Sequence, residues 1–400
     1  MDLFDKFKPI AEAYAGLRAI GADPFKVAFD RIVSPTVGMI GNSEVVLAGT
    51  NNYLGLTFDP NVIAAAQKGA AEFGAGTTGS RIANGTYSPH KLLEEELAAH
   101  FGLDQAIVFT TGYQANLAVV AGLAGPQDVV LIDADCHASI YDACKLSGAQ
   151  IVRFAHNDPA SLDRRLSRLD RDASNKMVIT EGLYSMFGDV APLAEFIEVK
   201  KRHNAYLVVD EAHSFGVFGP NGLGLAEAEG VLADCDILVG TFSKSLAGIG
   251  GFAASSLPQF DLLRVAARAY MFTASSSAAS IEATRAALRE IKAQPKLRDQ
   301  IWSNAKRLHA GLAGAGFKLC ASPSPVIGVD MGDPGKAAAF WNALLAEGVY
   351  VNLAIPPGTP NSTSLLRCSV SAAHTPDQID FIVERFTTVA ARFAAADAAE

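Results

Sequence analysis

The chain has 400 residues, of which 50% are hydrophobic and 19% are charged, and its formal net charge is -9 at pH 7. This length and composition are typical of an ordinary globular protein with two or three domains. Proteins that bind nucleic-acid backbones usually carry the opposite charge balance, so we do not expect a nucleic-acid partner.

Targeting and cysteine signals both favour a cytoplasmic protein. The first residues contain no long apolar region of the kind found in signal peptides, and no apolar run reaches the length of a membrane-spanning helix. Peripheral contact with the inner face of a membrane stays open, because a lipid-like substrate would need delivery. The cysteine count is 5, without C-x-x-C spacing, which favours reduced thiols and no metal site.

The first part of the chain predicts an arm and two helices. The segment up to about residue 30 has the apolar spacing of a helix and is predicted to lead into the fold. The stretch SEVVLAGTNNYLGL predicts a short strand followed by a polar turn. One helix then ends at Gly74 and an amphipathic helix ends at Gly102, with a long glycine-rich loop between them.

From about residue 105 the pattern alternates between apolar strands and helical stretches. Near-continuous apolar strands separated by helices predict a mostly parallel sheet covered on both faces. The predicted strands are AIVFTT, VVLID, QIVRF, KMVITEG, AYLVVDEAH and DILVGTFSK. After about residue 290, shorter strands lie between a long helix and a terminal helix, which predicts an α+β domain. These shorter strands are PVIGVDMG, VYVNLAI and SLLRCSVSA.

Polar clusters follow four of the predicted parallel strands directly. In open α/β sheets, ligands bind beyond the carboxyl ends of the strands, and these ends share one edge. The clusters are TTGYQAN, DADCHAS, DEAH and TFSK. Their convergence predicts one functional site at that edge.

Asp210 ends a buried strand, where a carboxylate is costly unless it is paired. A pyridinium nitrogen would keep it ionised, and the carboxylate would in turn keep that ring protonated and electron-poor. The alternative is an aspartate that caps the following helix. His137 and His213 lie at the same predicted edge, where one imidazole could stack on a flat ring and the other could bind a ring hydroxyl. A lone histidine at a strand end is more often structural.

The same edge contains a candidate phosphate site. Gly112 and Tyr113 open a helix directly after a strand, and backbone N–H groups at a helix N-terminus favour a phosphate. Thr241 and Ser243 offer hydroxyl groups for the same phosphate. Ordinary capping of the helix is the alternative.

Lys244 stands in a run of small residues between Ile237 and Ser256, with no acidic residue in that run. Small neighbours would let a flat, phosphorylated cofactor reach the amine, which could form a Schiff base and later act as a base. A surface lysine on a loop is the alternative. The GIGG stretch follows the lysine instead of joining a first strand to a helix, so dinucleotide binding is disfavoured.

The segment DEAHSFGVFGPNGLG followed by GTFSKSLAGIGG closely resembles the α-oxoamine synthases, a branch of the fold-type-I pyridoxal-phosphate enzymes. Matching stretches run from NNYLGL through GSRIANGTYSPHKLLEEEL to LLRCSVSAAHT, so the resemblance covers nearly the whole chain. It implies an α/β transferase whose large cofactor-binding domain, 49–288, contains a mostly parallel seven-stranded sheet. The small α+β C-terminal domain would be 289–400, and 1–48 would form an N-terminal arm that contributes to the small domain.

The resemblance also implies roles for individual residues. Pyridoxal 5'-phosphate (PLP) would form a Schiff base with Lys244, with Asp210 at the ring nitrogen, His213 at the ring hydroxyl and His137 stacked on the ring. The positions expected on the phosphate side are Gly112, Tyr113, Thr241, Ser243 and, from the partner subunit of a homodimer with shared active sites, Thr273. The positions expected near the substrate are Asn51 and Arg367, and Arg367 would bind the amino-acid carboxylate through two hydrogen bonds.

Stretches such as FTTGYQANL and WSNAKRLHAGL most resemble the branch that condenses L-serine with a long-chain acyl-CoA, palmitoyl-CoA. The products of that branch are 3-ketodihydrosphingosine, coenzyme A and carbon dioxide, and the reaction begins sphingolipid synthesis. Family members that use glycine or alanine remain an alternative, as do non-catalytic partner subunits, which lack the lysine. One position departs from the pattern. Serine-using members carry an arginine where this chain has Ile355, which leaves Arg367 with more of the carboxylate binding or shifts that task to another residue.

Overall fold

The computed structural model describes residues 2–169, 175–356 and 358–397, and its chain divides into two compact units. The described residues of Leu54–Ser185 and Asp189–Asp299 form one unit. Those of Met1–Tyr53, Met186–Gly188 and Gln300–Glu400 form the other. The expected division into an N-terminal arm, 1–48, a large domain, 49–288, and a small C-terminal domain, 289–400, stays a prediction.

The strands of both units, in chain order, are β1 Arg31–Ser34, β2 Val37–Ile40, β3 Ser43–Leu47, β4 Gln105–Phe109, β5 Val129–Asp133, β6 Gln150–Phe154, β7 Lys176–Glu181, β8 Tyr206–Asp210, β9 Ile237–Thr241, β10 Gly251–Ser255, β11 Val326–Asp330, β12 Val349–Tyr350, β13 Asn352–Ala354 and β14 Leu365–Ser369. The helices are α1 Lys8–Ala19, α2 Pro60–Phe73, α3 Ser88–Phe101, α4 Gly112–Leu123, α5 Ala138–Ser147, α6 Pro159–Leu166, α7 Leu193–Arg202, α8 Leu225–Ala228, α9 Leu263–Ala266, α10 Arg268–Met271, α11 Ala278–Ala293, α12 Lys296–Gly314, α13 Pro334–Ala346 and α14 Pro376–Asp397. Within the described ranges, none of these helices is both long enough and apolar enough to cross a membrane.

A seven-stranded sheet forms the centre of the larger unit, in the order β4-β10-β9-β8-β7-β5-β6, and confirms the predicted α/β fold class. All neighbours in it are parallel except β10, which is antiparallel to both β4 and β9. Successive residues of a strand enter different apolar clusters. Leu207 and Val209 pack in one cluster, whereas Val208 packs in the other. Both faces of the sheet are therefore covered, as near-continuous apolar strands predict.

The strand β10 was absent from the six strands predicted by apolar pattern. Its sequence, GFAAS, is rich in glycine and alanine, which are depleted in strands, so it lacks the usual propensity signal. All five of its residues are nevertheless buried. Two flanking strands supply its hydrogen bonds, so tertiary context decides its conformation.

The smaller unit contains two sheets, in the orders β1-β2-β3-β12 and β11-β14-β13. The hairpin of β1 and β2 directly after the N-terminal segment was not predicted. The stretch VYVNLAI was predicted as one strand but forms two, because β12 pairs with β3 and β13 pairs with β14. Val351 separates these two strands and is fully buried.

Candidate active site

The carboxyl ends of five strands lie at one edge of the seven-stranded sheet, because β4, β5, β7, β8 and β9 all run in the same direction. The sequence-predicted polar clusters follow four of these strands. The residues at or just beyond the five ends are Gly112, His137, Glu181, Asp210 and Lys244. The topology therefore brings the predicted cofactor residues to one edge of one unit.

Asp210 is 5% exposed, and both of its carboxylate oxygens accept hydrogen bonds. Oδ1 accepts from the backbone N–H of Ala212 at 2.9 Å, and Oδ2 accepts from Nδ2 of Asn116 at 2.7 Å. Turns follow Asp210 instead of a helix, so the alternative of an ordinary helix cap is wrong. A carboxylate offers about four acceptor positions, which leaves capacity for a further N–H donor.

His137 precedes α5, and its Nδ1 lies 2.8 Å from Oγ of Ser139 and accepts from the backbone N–H of Ser139 at 3.2 Å. Partial removal from water is the largest influence on this imidazole and lowers the pKa of His137. The charge of Asp210 opposes that shift, and the charge of Lys244 adds to it. A neutral ring is therefore favoured near pH 7.

Glu181 ends β7 beside Asp210, with which it is in register, and only 4% of its surface is exposed. Its Oε1 accepts a hydrogen bond from the backbone N–H of His137. Burial raises the pKa of Glu181 well above its usual range, and the nearby charge of Asp210 raises it further. Two adjacent buried carboxyl groups cannot both ionise cheaply, which favours the protonated form of Glu181.

The candidate phosphate side consists of a helix N-terminus and two hydroxyl groups. Gly112 begins α4, and a Cβ atom on it would lie 2.9 Å from Cβ of Thr241, so the N-terminus of this helix packs directly on the end of β9. Oγ1 of Thr241 lies 2.8 Å from Oγ of Ser243 and donates to the carbonyl of Gly250 at 2.9 Å. Backbone N–H groups and hydroxyls therefore lie together, as a bound phosphate requires.

Tyr113 and Thr273 also lie close to α4. The ring of Tyr113 is 41% exposed, and its hydroxyl donates to Asp142 on α5. Oγ1 of Thr273 accepts from Nε2 of Gln114 at 3.0 Å. Both residues therefore lie beside the N-terminal turn of α4 within the same chain, and the expected contact of Thr273 with a partner subunit stays a prediction.

Lys244 follows β9 by three residues and is half-buried, and His213 lies in the turns after β8 with 6% of its surface exposed. The small residues around Lys244 have a second explanation besides cofactor access. A Cβ atom on Gly240 would lie 2.4 Å from the ring of Phe252. One on Gly250 would lie 2.3 Å from the ring of Phe242. Close packing of aromatic rings thus requires glycine at two positions of this run of small residues, Gly240 and Gly250.

The two candidate substrate residues lie together in the smaller unit. Nη2 of Arg367, on β14, donates to Oδ1 of Asn51 at 3.1 Å, and Arg367 is 5% exposed. Burial raises the pKa of Tyr53, and the charge of Arg367 opposes this shift. Ile355, which follows β13, contributes no charge to this unit. Arg367 is accordingly a buried cation with an amide partner, a suitable group for binding a carboxylate.

A second cluster of charged groups surrounds His156 and includes Asp133, which ends β5 four residues before His137. His156 bonds through Nδ1 to Oδ1 of Asp133 at 2.7 Å and through Nε2 to Oδ2 of Asp189 at 2.6 Å, with Asp135 3.9 Å away. Burial would lower the pKa of His156, but its two hydrogen-bonded carboxylates raise it to about 10. Because Asp133 ends β5, this imidazolium fixes the turn that leads to His137.

The predictions from sequence missed three residues of the site, namely Asn116, Ser139 and Glu181. All three are contained in quoted stretches, TTGYQAN, DADCHAS and KMVITEG. Asn116 lies four residues after Gly112 and therefore on the same face of α4. This spacing is a signal that could have identified Asn116 from sequence. The link between Ser139 and Asn116 depends on the packing of α4 on α5, which no local pattern contains.

This chain belongs to the aminotransferase class I and II family, whose sequence model matches residues 43–386. It is 52% identical over 391 residues to the serine palmitoyltransferase of Caulobacter vibrioides, covering 98% of this chain and 97% of that protein. It is 46% identical to the serine palmitoyltransferase of Sphingomonas paucimobilis, covering 96% of this chain and 92% of the other. A solved structure of serine palmitoyltransferase with PLP as internal aldimine matches with a TM-score of 0.95 and 45% identity, covering 97% and 98% of the two chains.

The residues at the sheet edge of this chain fit PLP. A buried carboxylate with spare acceptor capacity, Asp210, suits a protonated ring nitrogen. The N-terminus of α4 packs on β9 so closely that a side chain at Gly112 would enter the space of Thr241. A lysine amine, Lys244, follows the neighbouring strand end. Acid, amine and phosphate donors are therefore all present at one edge.

We expect the His156→Gln variant to lose about 3–5 kcal/mol of unfolding free energy at pH 7, because Asp133 and Asp189 lose their cation. The pKa of His156 is raised from 6.5 to about 10 in the folded state. Its contribution is therefore complete below pH 6.5 and is lost as the pH rises through 10. Urea denaturation of both proteins from pH 6 to pH 10 measures the difference.

The matched control for that experiment is His203→Gln. His203 bonds to Asp163 at 2.8 Å, but the side chain of Asp163 is 39% exposed. The loss there should stay below about 1 kcal/mol, as for other exposed pairs. A difference for His156→Gln that stays constant across the pH range, or that matches the control, would contradict the assignment.

Proposed function

We propose that this chain catalyses the PLP-dependent decarboxylative condensation of L-serine with a long-chain acyl-CoA. The products would be 3-ketodihydrosphingosine, coenzyme A and carbon dioxide, the first step of sphingolipid synthesis. One arrangement supports the reaction class. Buried Asp210, hydrogen-bonded to Asn116, ends β8, and Lys244 follows the neighbouring parallel strand β9. The choice of serine and a palmitoyl chain rests on the 46–52% identity to serine palmitoyltransferases over nearly the whole chain.

PLP, when bound, would supply an electron sink for the electron pair released at the substrate Cα. Asp210, whose carboxylate accepts from the amide of Asn116 and from the backbone N–H of Ala212, would hold the ring nitrogen protonated. His213 would contact the ring hydroxyl, and His137 would lie against the ring. The N–H groups at Gly112 and Tyr113 and the hydroxyls of Thr241 and Ser243 would bind the phosphate.

Lys244 would hold the cofactor before the substrate arrives and would afterwards move the proton. Its amine would be the base that removes the Cα proton of serine and the acid that returns a proton to the product. A non-catalytic partner subunit would not need this lysine. The presence of Lys244 therefore favours an enzyme over that alternative.

Arg367 would bind the carboxylate of serine through two hydrogen bonds, with Asn51 holding the guanidinium in place. Serine-using relatives were expected to share this task with an arginine where this chain has Ile355. Because Ile355 is uncharged, Arg367 would supply the positive charge that binds the carboxylate.

The assembly and the cellular location remain part of the same proposal. We infer a homodimer in which Thr273 of one subunit contacts the phosphate bound by the other, on the resemblance described above. A cytoplasmic enzyme that meets the inner face of a membrane to exchange its lipid substrate and product would fit the reaction.

Purified protein with PLP should change its visible absorbance on addition of L-serine and change less with glycine or L-alanine. With serine present, palmitoyl-CoA should release coenzyme A. Absorbance titrations with the three amino acids, followed by thiol release across acyl-CoA lengths, measure both steps. A response to glycine without one to serine would move the chain to a sister activity of the family.

The variant Arg367→Lys should raise the apparent Kd for serine about tenfold to hundredfold, because lysine loses the two-point contact with a carboxylate. PLP binding should be unchanged. The control Arg307→Lys alters an exposed ion pair with Asp380 in the same unit and should leave serine binding unaffected. An unchanged Kd in Arg367→Lys would remove Arg367 from the substrate site.

A further inference from the structure

Asn116 is a buried amide that no part of the reaction described above uses. It lies on α4 with 3% of its surface exposed. Its Nδ2 donates both to Oδ2 of Asp210 at 2.7 Å and to Oγ of Ser139 at 3.0 Å. Both amide hydrogens are thus engaged, one towards the acid at the end of β8 and one towards the start of α5.

The orientation of this amide follows from electrostatics. If oxygen and nitrogen were exchanged, Oδ1 would lie against the carboxylate of Asp210 in a buried place, where two acceptors repel. In the observed orientation, Oδ1 of Asn116 has no hydrogen-bond partner within the described ranges. An unpaired buried carbonyl costs free energy, so the two donated hydrogen bonds must outweigh that cost.

Ser139 extends the connection to His137. Its side chain is fully buried, and because Oγ accepts from Asn116, its own O–H remains to be donated. Nδ1 of His137 lies 2.8 Å from that oxygen, and the backbone N–H of Ser139 donates to the same nitrogen. Two donors aimed at Nδ1 require it to be unprotonated, so a neutral His137 carries its hydrogen on Nε2.

We propose that Asn116 is a positioning residue that joins Asp210 to His137 through Ser139, orienting the carboxylate and fixing the Nε2–H tautomer of the imidazole. The inference rests on the proposed PLP chemistry of this edge. A neutral amide suits this place better than a cation. A lysine or arginine would compensate the charge of Asp210, whereas an amide orients the carboxylate and leaves its charge for a ring N–H.

The variants Asn116→Ala and Asn116→Leu separate this role from packing. The first removes the donor and most of the side-chain volume, and the second removes the donor but keeps a similar volume. Titration of PLP into the apoprotein, followed by absorbance, should give a Kd raised about tenfold to hundredfold for both variants. If Asn116 only filled space, Asn116→Leu would bind PLP with nearly native affinity.

The matched control is Asn304→Ala. Asn304 is also buried, and its Nδ2 donates to the carbonyls of Ser371 at 3.0 Å and His374 at 2.9 Å in the other unit. Its loss should cost comparable folding stability and leave the Kd for PLP within about twofold of the native value. Ser139→Ala, which keeps the Asp210 contact, should raise that Kd about threefold to tenfold.

Nitrogen-15 NMR of histidine-labelled holoprotein provides a readout that a purely structural role would not move. The signal of His137, assigned by its loss in His137→Asn, should show a protonated Nε2 and an unprotonated Nδ1. Ser139→Ala and Asn116→Ala should introduce a population with the hydrogen on Nδ1. A native His137 protonated on Nδ1, or Asn116 variants with native PLP affinity, would overturn the inference. A native protein that binds no PLP would instead refute the proposed function.

Discussion

A carboxylate withdrawn from water at the end of a central strand is the constraint on which the rest of this site depends. Asp210 is 5% exposed and ends β8, between β7 and β9. An ionised acid there needs donors, and two neutral ones are the backbone N–H of Ala212 and the amide of Asn116. A cationic ring nitrogen would be a further partner for this carboxylate, and the parallel sheet places the Lys244 segment after the adjacent strand.

Three buried acids at neighbouring strand ends meet the cost of burial in three different ways. Asp133 at the end of β5 is paired with the imidazolium of His156. Glu181 at the end of β7 keeps its proton, because burial and Asp210 raise its pKa. Asp210 at the end of β8 accepts a hydrogen bond from the neutral amide of Asn116. The three acids thus have three kinds of partner: a cation, their own proton and a neutral amide.

Much of this arrangement could be predicted from sequence, because apolar strands that alternate with helices define a parallel sheet and place polar strand ends at one edge. Lys244, Asp210, His137 and Gly112 were identified in this way. The strand β10 escaped prediction, since GFAAS has little strand propensity and is ordered by its two neighbours. Asn116, which acts across helices, depends on packing that a local pattern does not encode. Arg367 and Asn51 were expected near the substrate from family resemblance alone, and no local pattern predicts the hydrogen bond between them.

The most direct test of this account is borohydride reduction of the purified protein with its PLP, followed by proteolysis and mass spectrometry of the peptides. Reduction converts a lysine Schiff base into a stable pyridoxyl group. We predict that group on the peptide that contains Lys244 and on no other lysine. A pyridoxyl group on a different lysine, or on none, would contradict it.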